Sequence, residues 1–323
     1  MAADSCGQSL VSNAPIYDLS PVIDTTGPSN DFLLAGGHAI RKWSPGASQA
    51  KAILSAPEIR ISAARLATGP AGDASDSGVS ERLFVAGAID GEDGYLACHQ
   101  LPQPSPLWSH ADMEFAISAM LIVGQRVVVG DDRGNIHAFD SRTGTPLWKN
   151  PHHARMVTAV TAMDTETVVT GDWSGKIVVC DAKTGKEVTD FQQHRDRIVA
   201  LESFSPDSGG PTRLFSASRD GTVRLWYPEQ KRLVRFIQLE RPVTAMTLVD
   251  ANHVLAALEP DLTLPSPAPS SSVVLIDMSR AREVSRIEAP LATIRALCKA
   301  GENQAIASDG IRQTLLLTIP SSN

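Results

Sequence analysis

The sequence predicts an all-β protein, a single ring of seven four-stranded antiparallel sheets, and three observations carry that prediction. The run Arg213–Tyr227, RLFSASRDGTVRLWY, reads as strand, Asp-Gly turn and strand, with alternating apolar positions on either side of the turn. The same grammar recurs upstream in Arg126–Asp140 and Thr167–Asp181, and aligning the turn glycines Gly134, Gly175 and Gly221 gives spacings of 41 and 46 residues. A period of ~40–45 residues is what one four-stranded propeller blade occupies. Composition agrees: 42% apolar residues, with 23 Gly and 21 Pro in 323 residues, suit a strand-rich chain with many turns.

Taken in order, residues 1–323 form one domain of seven blades, at 15–56, 58–110, 114–150, 155–193, 196–239, 241–288 and 292–320, the last completed by 7–14. The apolar slot on the third strand of each blade falls on Trp43, His99, Phe139, Cys180, Trp226, Ile276 and Leu315. Long gaps between slots coincide with polar or Pro-rich insertions, TGPAGDASDSGVSE (Thr68–Glu81) and DLTLPSPAPSSS (Asp261–Ser272). The second of these is expected to be a disordered, protease-sensitive loop. The seventh blade lacks a fourth strand of its own, and GQSLVSNA near the N-terminus has the length and alternation to supply it. That closure pairs both chain ends in one sheet and removes two open edges.

The fifth unit resembles the WD-repeat (WD40) β-propeller family, through SASRDGTVRLWY and its Trp226-Tyr227 in place of the family's Trp-Asp. The resemblance implies a structural tetrad of His194, Ser216, Asp220 and Trp226, a hydrogen-bonded line across the blade. Elsewhere the pattern erodes: the fourth unit keeps His153 and Thr170 but has Ser174 for the Asp and Cys180 for the Trp. The third has Arg133 and Phe139 at those two places. A second resemblance links IHAFDSRTGTPLWKN (Ile136–Asn150) and VVCDAKTGKEVTDF to the quinoprotein-like propellers, whose repeats run apolar strand, Asp, Thr-Gly, Leu-Trp. That family implies pyrroloquinoline quinone stacked on an aromatic residue in a wide funnel. The chain shows neither the eighth unit nor the adjacent cysteine pair of that family, and a shared hairpin is the better account of the match, since Asp caps the turn and Gly supplies a positive φ.

No catalytic residues are predicted: there is no GxSxG, HExxH, P-loop or GxGxxG before a helix. No metal site and no cofactor are predicted. The eight histidines are scattered, and His152 and His153, being adjacent, point to opposite sides of an extended chain. Asp131-Asp132 and Asp90–Asp93 lack the alternating oxygen pattern of a calcium loop and read as solvated turn carboxylates. Cys6, Cys98, Cys180 and Cys298 are isolated and read as buried reduced thiols. A net charge of −7 offers no overall field for nucleic acid or an anionic membrane. No secretory leader or span of ~18 apolar residues is visible, so an intracellular protein is expected, cytoplasmic first and nuclear second.

One grouping points to binding. Arg155, Arg197 and Arg241 stand just ahead of first strands in neighbouring blades, and Arg133 and Arg219 lie in second-to-third-strand turns that open on the same rim. The pattern predicts an arginine arc suited to carboxylates or phosphates, with Asp196, Glu202 and Glu240 partly neutralising it. The expected function is a non-catalytic protein-protein interaction scaffold, a monomeric propeller or a subunit of a larger complex. Its partners are proteins, engaged through acidic or phosphorylated segments. The alternatives are a reader of such peptides and a quinoprotein-like enzyme.

Overall fold

The structure, a computed structural model, describes residues 6–11, 18–24, 27–44, 47, 49–70, 79–206, 210–261, 270–310 and 313–320. The cores of the Thr68–Glu81 and Asp261–Ser272 insertions therefore lie outside the described residues. The alternating segments pair with their sequence neighbours, because each tight turn returns the chain antiparallel to the strand it has just left. Blade three runs Ile117–Val123, Arg126–Asp131, Ile136–Asp140 and Pro146–Asn150. Blade four runs Val157–Ala162, Thr167–Asp172, Ile177–Asp181 and Glu187–Phe191. Blade five runs Ile198–Phe204, Arg213–Ser218, Thr222–Tyr227 and Arg232–Gln238.

Blade six has the same form, from Val243–Leu248 to Arg282–Ala289. Blade seven takes Ala296–Gly301, Gln304–Ser308 and Gln313–Thr318, with Cys6–Val11 as the outermost strand on Gln313–Thr318. Blade one starts at Asp18–Asp24 and blade two at Ile59–Pro70; a single parallel pairing of Ile23 with Ala67 joins them into one eight-stranded sheet. This is a seven-bladed all-β propeller. Its only helical turn among the described residues is Pro228–Gln230.

Packing follows from the two-residue strand period, which turns each sheet's apolar side chains alternately to the blade before and the blade after. Each seam between neighbours accordingly has its own buried cluster. Trp226 and Leu214 of blade five meet Val169 and Phe191 of blade four, while Phe215 and Val223 face Val254 and Ile276 of blade six. The seam that closes the ring holds Phe32, Leu34 and Trp43 of blade one against Cys298 and Ile306 of blade seven. Burying one such large side chain contributes about 1.5–3 kcal/mol.

The slot residue pairs with the first buried residue of the second strand, as Val168 with Cys180 and Leu214 with Trp226. In blade seven that register selects Leu317, paired with Ala305, and corrects the expected Leu315. Apolar alternation alone cannot separate two leucines of one face.

The first strands stand innermost and line the central channel. A hydroxyl at one aligned place in these strands donates to the carbonyl of the next blade's first strand: Ser62 to Ile117, Ser118 to Val157 and Thr158 to Ile198, each at 2.6 Å. In blade five the position is Val199 and in blade seven Arg295, so these links end at the seam between blades four and five.

Candidate partner-binding rim

The tetrad residues meet in one line across blade five. The Trp226 indole N–H donates to Ser216 Oγ at 2.8 Å, Ser216 bonds His194 Nε2 at 2.8 Å, and His194 Nδ1 faces Asp220 Oδ2 at 3.0 Å. Donors and acceptors match throughout if His194 is neutral with its proton on Nδ1, which the partners require. Burial, ahead of the hydrogen bond to Asp220, holds the His194 pKa below its ordinary value. Asp220 is driven well below the usual carboxylate range, since bonds from His194, Thr222 and the Arg195 N–H outweigh its own desolvation. The line fixes the blade; its groups are committed to one another.

Blade four reaches the same pairing by another route. His153 Nε2 meets Thr170 Oγ1 at 2.8 Å and Nδ1 meets Asp172 Oδ2 at 3.1 Å, so the acid comes from the end of the second strand, not from turn position Ser174. Asp172 Oδ1 accepts from the backbone N–H groups of Ser174 and Lys176. In blade three Asp131 does likewise for Arg133 and Asn135, and Oδ2 meets His137. Asp131 is therefore a buried turn organiser and not the solvated carboxylate expected from the sequence; Asp132 beside it is exposed.

Blades two to four also share a docking contact between neighbours. Trp108 on the outer strand of blade two lies on Gly144 of blade three and donates to Ser141 O, and Trp148 lies on Gly185 of blade four and donates to Ala182 O. Both glycines have positive φ, 74° and 68°, and a Cβ at either would overlap the indole. The Asp of each turn, Asp140 or Asp181, caps the following Thr N–H.

The five arginines of the arc all sit on the rim formed by second-to-third-strand turns and first-strand starts, because each turn bonds back to that start: Arg219 N–H, for instance, donates to Arg197 O. Their states differ. Arg155 is exposed; Arg133 is exposed and lies over the Phe115 ring. Arg219 pairs with Glu259. Arg241 is not free for a partner as the predicted arc requires: it donates to Glu259 O and Ser272 Oγ and is largely covered, leaving Nε without an acceptor. Arg197 stands one residue nearer its strand than Arg155 and Arg241, whose counterpart in blade five is Asp196; the carbonyls of Arg155, Asp196 and Arg241 face the turn glycines Gly134, Gly175 and Gly221. Its guanidinium lies 4.8 Å from the Trp173 ring centroid.

Glu202 belongs elsewhere. It interacts with Arg65 on the first strand of blade two, across the central channel, and burial pushes its carboxyl up to about 7. Glu240 pairs with Arg241 and Arg286 and does border the arc.

The residue that sequence reasoning missed is Arg295, at the channel mouth with Arg197. The signal was present: aligning TIRALCKAG with MVTAVTAM puts Arg295 where Thr158 stands, a charge at a small-hydroxyl position. The mouth is lined by Ser118, Met156, Thr158, Arg197, Thr244 and Arg295 together with aliphatic residues. These do not fit a stacked quinone, since no aromatic ring lies among the lining residues.

Fold and blade architecture define a seven-bladed propeller of divergent repeats. Comparison with known proteins places it further. A family model described as "Outer membrane protein assembly factor BamB" matches residues 60–223, half of the chain. WD repeat-containing protein 90 of Mus musculus is 28% identical over 182 residues, 48% of this chain and 9% of that protein. Quinoprotein alcohol dehydrogenase PedE of Pseudomonas putida is 36% identical over 120 residues, 36% of this chain and 19% of that enzyme. The chain thus spans under a fifth of either relative. Among solved structures, the WD40 β-propeller domain of Doa1 superposes with a TM-score of 0.73 at 13% identity, covering 98% of this chain and 97% of that one. A chain of the mitotic checkpoint complex gives 0.74 at 12% identity, covering 98% and 96%. At such identities these two show the fold alone. The chain has the fold of the WD40 β-propellers and, through residues 60–223, belongs to the repeat family described as outer membrane protein assembly factor BamB.

Proposed function

We propose that this propeller is a non-catalytic scaffold that holds partner proteins on its arginine-bearing rim. The observation that carries the reading is the placement of Arg133, Arg155, Arg197 and Arg219, from three consecutive blades, on one rim of a closed ring. Seams filled with buried side chains keep those loops in fixed relation, so a partner meets a pre-organised surface and little ordering entropy is lost. The relatives are consistent with it, one solved neighbour being a chain of a named multiprotein complex. The buried thiols Cys98, Cys180 and Cys298 suit the reducing interior of a cell, with the cytoplasm as the expected compartment.

The test compares the proteins recovered by immobilised wild type and by an Arg133→Ala, Arg155→Ala, Arg219→Ala triple variant at low and moderate salt. Exposed ion pairs contribute only ~0–1 kcal/mol each, so the triple change should lower recovery far more than any single one. Equal recovery of every partner at both salts would move the surface off this rim.

A further inference from the structure

Where the hydroxyl links between first strands stop, the channel mouth opens into a cavity of 250 Å³ bordered by Arg197, Val199, Thr244 and Arg295, with Ser118 and Thr158 completing its polar wall. Ser118 and Thr158 donate to neighbouring carbonyls and have no proton left to give. Thr244 Oγ1 has only a 3.4 Å contact with Ala257 O, which a better acceptor would displace. The two guanidinium groups are the unmatched elements. Arg295 is exposed, and among the described residues no carboxylate or carbonyl accepts from its side chain. Arg197 is half-buried against Trp173 and likewise donates to no acceptor.

The acids nearby are occupied. Asp196 Oδ1 accepts the Arg197 backbone N–H, and Glu259 pairs with Arg219. Burial first, then repulsion from Arg219 and Arg295, lowers the Arg197 pKa, against the opposing pull of Asp196 and Glu259. A partly desolvated guanidinium whose N–H groups meet no protein acceptor among the described residues keeps its five donors open to an arriving anion.

We propose that this channel mouth binds one oxyanion, the phosphate or carboxylate of a partner peptide's side chain, between Arg197 and Arg295. Planar guanidinium forks match the oxygen spacing of both groups. The cavity is smaller than the ~300–1,000 Å³ of sites for whole small molecules and suits the head of one side chain, with the rest of the peptide lying on the rim. The inference deepens the scaffold reading and rests on it for the source of the peptide, though not for the site itself.

The test uses the full chain and four probes: inorganic phosphate, and short Ala-Gly peptides carrying phosphoserine, glutamate or serine. Binding is read from Trp173 fluorescence, with Trp173→Phe identifying that signal, and from calorimetry. The phosphoserine or glutamate peptide should bind, the serine peptide should not, and Arg197→Ala or Arg295→Ala should each weaken binding by about tenfold. Arg235→Ala, on the outer strand of blade five, should leave binding unchanged. An unaltered midpoint in the Arg197→Ala, Arg295→Ala double variant overturns the proposal, as does equal binding of the serine peptide. Response to inorganic phosphate alone, with none to the peptides, overturns the peptide source. Because no cell-derived partner is involved, failure here leaves rim capture standing, and failure of rim capture leaves this site standing.

Discussion

Blades four and five build the same histidine-carboxylate pair from different positions. In blade five the acid is Asp220 in the turn, and the line runs on to Trp226; in blade four it is Asp172 at a strand end, and the line stops at Thr170 because Cys180 fills the slot. The blade-four arrangement sits beside the Trp-on-Gly docking of blades two to four, the blade-five arrangement beside no such contact among the described residues. One propeller thus carries two solutions to the same requirement: a buried turn needs a carboxylate for its N–H groups, and that carboxylate needs a fixed histidine.

The largest expected separation between the two blades lies in the slot. Trp226→Ala should cost ~3–5 kcal/mol, by lost transfer energy and the cavity left behind, whereas Cys180→Ala should cost about 1–2 kcal/mol. Denaturant midpoints decide it, and equal losses would mean that blade four depends on its slot as much as blade five does. Next in size is the docking turn. Gly185→Ala combines a positive φ with overlap on Trp148 and Asn150, and should cost about 1–3 kcal/mol more than Gly124→Ala, where φ is positive but the space is open. Melting curves of the two variants measure the overlap on Trp148 and Asn150 with the backbone term removed.

The smallest effect is on pH dependence. His194 and Asp220 both have depressed pKa values in the folded chain, so each contributes stability that is lost on acidification. The His194 part should fade as pH falls below about 6.5, where the unfolded histidine takes up a proton, and the Asp220 part below about 4. His194→Asn should therefore flatten the upper window and also weaken the lower one, because the bond from His194 is one of those that hold Asp220 low; an unchanged profile would show that His194 is not the titrating group.

How much of this the sequence disclosed depends on the range of the interaction. The blade period, the hairpins and the grouping of His194, Ser216, Asp220 and Trp226 rest on short spacings and a recognisable pattern. Asp172 was hidden because a buried acid two residues before the turn leaves the apolar alternation unchanged. The covered state of Arg241 depends on Ser272 and Glu259, which reach it only when the sheet is assembled. Arg295 stood out only after blade seven was in register.

The hydroxyl links between first strands give the ring a mechanical asymmetry. From blade two to blade five the channel edge is joined by Ser62, Ser118 and Thr158, side chains too short to stretch. Between blades five and six the connections are long arginines, Arg213 reaching Ala251 O and Asn252 and Arg219 reaching Glu259, whose rotatable bonds tolerate travel. The buried cluster of Phe215, Val223, Val254 and Ile276 holds that seam together from within, so its channel edge can stay open where Arg197 stands without loosening the ring.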